Sequence, residues 1–222
     1  LSLLRVNRIR VVCCVAGLLV AGIAIAQEHR WEISPEGGYL FGGSIISDHD
    51  ADGKKITGGL EDAGVYGLRA AFVANPNLEF EVEAVRCNTH FSLERATSLN
   101  VSPFRVDYLI GSGAYRFKIG DSAASLGYLS LGAGAGRFEP SHGVTVTRFT
   151  GALGAGFKRF LFPGLGFRLD GRLYASPIEG ANLGEGCTVA NPNSPAPSPS
   201  RPCNQQSWLV NVDVTAGIVI GF

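Results

Sequence analysis

The stretch Trp208-Leu-Val-Asn-Val-Asp-Val-Thr-Ala-Gly-Ile-Val-Ile-Gly-Phe222 decides how the rest of the chain is read. Its even positions, Trp208, Val210, Val212, Val214, Ala216, Ile218, Ile220 and Phe222, are all apolar. Its odd positions include Asn211, Asp213, Thr215, Gly217 and Gly221. Side chains alternate faces along a strand, so one face is wholly apolar and the other mixed to polar. No proline interrupts it. A strand of this length closed by an aromatic residue suggests a β-barrel that crosses a membrane and closes on itself.

Seven upstream stretches repeat the pattern. In Trp31 to Phe41, Trp31, Ile33, Tyr39 and Phe41 oppose Glu32, Ser34 and Glu36, and Pro35 predicts a weak strand over the first half. In Val65 to Val73, Tyr66, Leu68, Ala70 and Phe72 oppose Arg69. Leu78 to Arg86 is the clearest: Leu78, Phe80, Val82 and Ala84 alternate with Glu79, Glu81 and Glu83, three acids that a helix would scatter around its circumference. Phe104 to Phe117 sets Val106, Tyr108 and Ile110 against Arg105 and Asp107. Gly127 to Phe138 sets Leu129, Leu131, Ala133 and Ala135 against Ser130, Gly132, Gly134 and Gly136. Val144 to Phe160 sets Phe149, Leu153, Ala155 and Phe157 against Arg148, Gly154, Gly156 and Lys158. Leu165 to Ala175 sets Phe167, Leu169 and Leu173 against Arg168, Asp170 and Arg172.

The connections alternate in length. Asn75-Pro76-Asn77, the link from Lys118 to Ser125, and Phe162-Pro163-Gly164 are short turns. The polar segments Ser44 to Asp62 and Cys87 to Ser102, and the Pro-rich segment 178–206, are long and read as irregular loops. Even strand number, short turns at one end and long loops at the other predict an all-β fold: an eight-stranded antiparallel up-and-down transmembrane β-barrel.

The charges supply a physical test. On the expected inward face lie Glu32, Glu36, Glu79, Glu81, Glu83, Asp107, Asp170 and Asp213, together with Arg69, Arg105, Arg148, Lys158, Arg168 and Arg172. A soluble barrel would put apolar residues inside and charges out. Here the charges form the predicted lumen network and the apolar band meets lipid. A barrel of eight strands is just wide enough for side chains to fill it, and the inward glycines leave room for Arg and Lys from neighbouring strands. The expected lumen is therefore plugged rather than open.

The 222 residues hold 30 glycines and no methionine, and the formal net charge of +0 gives no basic field for nucleic acid. Residues 1–26 read as a secretory signal. Arg5, Arg8 and Arg10 precede the uncharged run Val11 to Ala26, and Ala24-Ile25-Ala26 is a small-x-small cleavage site. The run of 16 residues is shorter than the roughly 20 a spanning helix needs. Residues 27–222 are then the barrel domain. Any membrane crossing there falls to strands, since only helices and closed barrels satisfy their backbones in lipid.

The hairpin Gly151 to Tyr174, with Gly154-Ala-Gly156, a Pro163-Gly164 turn and Arg168-Leu-Asp170-Gly-Arg172, resembles the hairpins of small outer-membrane β-barrel proteins of the OmpA-type transmembrane family. Gly67 to Arg86 is similar to the same unit. The terminal Phe222 resembles the family's insertion signal, although Ile220 stands where an aromatic is frequent. The resemblance implies the cell outer membrane as location, and its lipid and the barrel assembly machinery as partners. The family's peptidoglycan-binding domain has no counterpart in the sequence.

Other features point weakly to chemistry. Asp48, Asp50 and Asp52, with Gly53, resemble the start of a calcium loop, but position twelve is Gly59 rather than Glu, which favours a solvated acidic turn. Cys187 and Cys203 bracket the Pro-rich segment and, in an oxidising compartment, form a candidate disulfide, leaving Cys87 as a thiol or an alternative partner. His29, His49, His90 and His142 have no metal-ligand spacing. No cofactor and no catalytic motif is legible. The expected role is non-enzymatic: stabilising the envelope or presenting loops to an extracellular ligand for adhesion. A small ion channel gated by the lumen charges, and a lipid- or peptide-modifying enzyme with His and acid at the rim, are the alternatives.

Overall fold

The computed structural model describes residues 30–49, 55–95, 98–120, 124–141, 144–178, 188–189, 201–202 and 207–222. The proposed signal, His29, His142, Asp50, Asp52, Cys187 and Cys203 lie outside the described residues.

The described residues form twelve strands: β1 (Trp31–Phe41), β2 (Ser44–His49), β3 (Lys55–Leu60), β4 (Ala63–Asn75), β5 (Leu78–Arg95), β6 (Ser98–Lys118), β7 (Ser125–Pro140), β8 (Val146–Phe162), β9 (Leu165–Pro177), β10 (Thr188–Val189), β11 (Arg201–Pro202) and β12 (Trp208–Gly221). Eight of them close a ring in the order β5-β4-β1-β12-β9-β8-β7-β6 and back to β5, every neighbouring pair antiparallel. This is the predicted eight-stranded up-and-down barrel. The opening stretch pairs along its length with β9, from Trp208↔Pro177 to Ile220↔Leu165, and closes on β1. Its odd residues Leu209, Asn211, Asp213, Thr215 and Val219 are buried, and its even residues face outward.

The turn ends of β4–β5, β6–β7 and β8–β9 share one end of the barrel with Trp31 and Phe222. At the tightest, Phe162 pairs Leu165 across Pro163-Gly164, and Gly164 has φ +73°. Proline then glycine at the two central positions, with positive φ at the second, is the type II pattern. At the first turn the Asn75 side chain accepts from the Asn77 amide at 2.9 Å. By the orientation of outer-membrane barrels this end faces the periplasm and the long connections face outward.

Three expectations are corrected. Two of the segments expected as irregular loops, 44–62 and 87–102, are largely strand among the described residues. Ser44–His49 and Lys55–Leu60 form a hairpin that docks on the upper part of β5 through Thr57↔Glu94 to Leu60↔Phe91. β5 and β6 continue past the membrane to Arg95 and Ser98. The driving force is apolar: Ile45, Ile46, Ile56, Leu60, Phe91 and Leu93 are buried together on this sheet. Within the Pro-rich segment, Thr188 pairs Pro202 and Val189 pairs Arg201. Second, β1 is continuous through Pro35, which pairs Leu68 on β4. The cost appears on the other side, where pairing with β12 is absent between Ile33↔Ile220 and Glu36↔Gly217, because proline has no N–H to give to the ladder. Third, β6 has the opposite facing to the one expected. Phe104, Val106, Tyr108 and Ile110 point into the barrel, and Arg105 and Asp107 point out.

Candidate functional site

The barrel interior gathers most of the buried charged side chains of the described residues, and it is layered along the axis. At the turn end Lys158 of β8 donates to Glu32 of β1 at 2.7 Å and to Glu79 of β5. Arg116 of β6 stands 3.4 Å from the second oxygen of Glu79. The next layer centres on Arg69 of β4. Its guanidinium reaches Glu36 at 3.1 Å, Glu81 at 3.3 Å, Glu83 at 2.7 Å and Asp170 at 3.1 Å. Arg168 donates to Glu81 at 2.6 Å and lies over the Tyr128 ring, 4.4 Å from its centroid, while the Tyr128 hydroxyl donates to Asp170. Above these, Arg172 pairs with Glu83 and, at 3.2 Å, with Glu81. The Tyr174 hydroxyl donates to Glu83 at 2.6 Å and stands 3.0 Å from Asp213.

Local sequence explains the convergence. Glu79, Glu81 and Glu83 on one strand face Arg168, Asp170 and Arg172 on the strand across the lumen, each set spaced by two. The glycines opposite them make the space. A Cβ on Gly156 would overlap Tyr128, and one on Gly154 would sit 2.5 Å from the Ser130 hydroxyl and 3.1 Å from Arg172 Nε. Each ion is buried, so each needs a partner: an unpaired charge in this interior is far costlier than a paired one. Arg69, with four carboxylates in reach, is the hub.

Above Tyr174 the interior turns apolar. Tyr108 and Tyr174 stack at 4.2 Å with an interplanar angle of 4°, and Phe138 meets Tyr108 edge-on. Asn211 donates to the Tyr108 hydroxyl at 2.6 Å and accepts from the Gly43 amide at 2.8 Å. Val106, Phe104, Cys87, Leu209 and Leu40 complete a lid over the ion pairs. Cys87 is a free thiol within it.

The predicted network residues thus divide. Arg69, Glu79, Glu81, Glu83, Lys158, Arg168, Asp170, Arg172 and Asp213 are brought together in the lumen, with Glu32 and Glu36. Arg105 and Asp107 are not. They stand on the outer face in a ring of surface pairs, Arg86–Asp107 at 2.6 Å, Arg105–Glu139 and Arg137–Glu139 at 3.1 Å. The reason is height: at this level the wall has left the lipid, so its outer face meets water and its inner face packs. Arg148 keeps the inward facing but sits half-exposed at the top of β8, outside the described ion pairs. Arg116, Tyr128, Tyr174 and Asn211 are lumen residues that the sequence reading missed. Tyr128, Tyr174 and Asn211 share parity with residues already read as inward. Arg116 shares parity with Tyr108, which had been assigned to lipid.

Asp48 lies within β2 with its carboxylate accepting from the His49 amide at 2.8 Å, in a regular strand rather than a loop. His49 and His90 are both exposed, and His90 is 3.9 Å from Glu61. Among the described residues no three His, Cys, Asp or Glu side chains are placed to hold a metal ion.

Around the outside, Trp31, Ile33, Leu68, Phe80, Val82, Leu109, Leu129, Leu131, Leu153, Leu169, Val214 and Ile218 form an exposed apolar belt. A belt of this extent on a closed ring has lipid as its solvent. The chain resembles Neisserial surface protein A, at 13% identity and TM-score 0.56, over 86% of this chain and 97% of that one. It also resembles the outer membrane protein OprG from Pseudomonas aeruginosa, at 13% identity and TM-score 0.53, over 89% of this chain and 99% of that one. The fold is that of the small eight-stranded outer-membrane β-barrels. With the belt, this places the barrel in an outer membrane. No family model and no curated protein matches the sequence.

Proposed function

We propose that this barrel is a non-enzymatic component of the outer membrane that holds a closed wall in the lipid and presents its outward strands and loops to an extracellular ligand. The observation that supports it is a lumen closed by side chains across its middle and its loop-end half. Ion pairs from Lys158 to Arg172 cross the interior from wall to wall, and the Tyr108–Tyr174 stack with Phe138 lies over them. A path for ions would need these pairs to separate, at the cost of exposing several unpaired charges at once. The outward sheet of β2, β3, β5 and β6, by contrast, is backed by buried Ile45, Ile46, Ile56, Phe91 and Leu93 and stands beyond the apolar belt, as a presenting platform requires.

The Cys187–Cys203 disulfide belongs to this reading. Thr188 and Pro202, the neighbours of the two cysteines, are paired in the β10–β11 ribbon, so a bond there would staple the base of the Pro-rich loop. Planar-bilayer recording of the refolded protein tests the closed wall. The expected result is silence over many insertions; discrete conductance steps would replace this reading with that of a small channel.

A further inference from the structure

The turn end of the lumen is not filled. Above Asn75 and Pro76 a cavity of about 370 Å³ opens toward the periplasm, lined by Arg30, Glu32, Val73, Ala74, Arg116 and Phe160 among others. It lies below the Lys158 layer, so nothing in the ion-pair network occupies it. Arg116 lines one side. Its residue is 8% exposed, yet its Nε and Nη1 have no hydrogen-bond partner. Its carboxylate partner among the described residues, Glu79 at 3.4 Å, is held more closely by Lys158. Its backbone is fixed on both sides, the Arg116 amide donating to the Asn77 carbonyl at 2.8 Å and the Asn77 side chain donating to the Arg116 carbonyl at 3.0 Å. Arg30 lines the same cavity from the rim of β1, exposed and in none of the described ion pairs.

Charge and shape define what would fit. Arg30, Arg116 and Lys158 face Glu32 and Glu79, an excess of one positive charge, and Glu32 is already engaged by Lys158 at 2.7 Å. A single negative charge balances the site. A dianion would bring its second charge against Glu32. The remaining lining is apolar at Val73, Ala74, Pro76 and Phe160, with Asn75 as its one neutral polar side chain. Guanidinium N–H groups in such a place give short, charge-assisted bonds to a carboxylate.

We infer that this vestibule binds a small monocarboxylate with a short apolar tail, entering from the periplasmic side, its head on Arg116 and Arg30 and its tail against Val73, Pro76 and Phe160. The site is separate from the outward platform and does not require the lumen to open.

The test uses the full refolded chain in neutral detergent, with the side-chain Nε–H resonances of arginine followed by NMR. Butyrate, acetate and inorganic phosphate are titrated at constant ionic strength against chloride. The expected result is a saturating shift of the Arg116 signal with butyrate in the millimolar range, several-fold tighter than acetate, and weaker still with phosphate. Arg30→Gln, at the exposed rim, weakens butyrate binding about tenfold, a loss matching one charge-assisted contact. Arg159→Gln, exposed on the outer face at the same end, leaves it unchanged. If Arg116→Gln folds, the Arg30 Nε–H signal no longer shifts saturably with butyrate; the Arg30 variant decides the matter if it does not. Linear shifts shared by all three anions, equal binding of acetate and butyrate, or tighter binding of phosphate would each overturn the inference.

Discussion

The two halves of this barrel have opposite polarity. In the turn-end half, Glu79, Glu81, Glu83, Arg168 and Arg172 point inward while Phe80, Val82, Leu169 and Leu131 point outward. In the loop-end half, Val106, Phe104, Phe138 and Leu209 point inward while Arg86, Asp107, Arg137 and Glu139 lie outside. The same strands pass through both. β5 runs from Glu79 inside to Arg86 outside within a few residues and without a bulge against β6. The switch is therefore made by side-chain choice alone, and it marks where the outer solvent changes from hydrocarbon to water. Each half obeys the rule for its surroundings: apolar groups leave water where water is present, and charges leave lipid where it is not.

The largest expected effect is in the lower half. Arg69→Ala leaves Glu36, Glu81, Glu83 and Asp170 without their common cation, and breaking a buried pair in this way costs about 3–5 kcal/mol. The variant should lose heat-modifiable gel mobility or unfold at far lower urea in lipid vesicles. A near-normal urea midpoint would show that the ion pairs do not hold the lower half. Phe138→Ala tests the upper half as a packed core. It removes a fully buried ring beside Tyr108, and a loss of about 3–5 kcal/mol in the same urea assay is expected for a core phenylalanine. The variant should keep its lower half folded, seen as protected amides on β9 and β12.

Outward positions then separate the halves by solvent. Val82→Arg, in the belt, should cost about 2–4 kcal/mol, the range for a cation on the lipid face near the midplane. Four positions on, along the same outward face, stands Arg86, and Arg86→Leu should leave the urea midpoint within error, since its pair with Asp107 is exposed and screened. Equal costs at the two positions would move the lipid boundary and break the comparison. The smallest expected effect is that of salt: molar salt should not shift the unfolding midpoint of the Arg69-containing protein, because the lumen pairs are closed to ions.

Much of this was legible in the sequence. Alternation alone gives the eight ring strands, the three tight turns, and most of the lumen set, because lipid outside and charge inside leave a period of two with no ambiguity. The reading fails where that contrast fades. On β6 the two faces carry Val106 and Tyr108 against Arg105 and Asp107, a pattern equally suited to a wall in lipid and to a wall in water turned the other way. Only its neighbours fix its facing, and neighbours are a property of the closed ring. The β2–β3 hairpin escaped for a related reason. Its Gly- and Asp-rich sequence reads as loop, and its strands exist because Ile45, Ile46 and Ile56 find Phe91 and Leu93 on the extension of β5. Arg116 was hidden behind the β6 misreading, and with it the vestibule.

The seam between the first and last ring strands bears on how the chain could be rewired. Trp31 and Phe222 exchange both backbone bonds, the Trp31 amide to the Phe222 carbonyl at 3.2 Å and the Phe222 amide to the Trp31 carbonyl at 2.9 Å. The two ends are thus already adjacent at the periplasmic rim. A circular permutant that joins Phe222 to Arg30 through a few flexible residues, and opens the chain instead at the Gly120 turn, would keep every strand pair of the ring. It would also place Phe222 in mid-chain. Such a molecule would test the insertion role expected of Phe222 apart from its part in closing the ring.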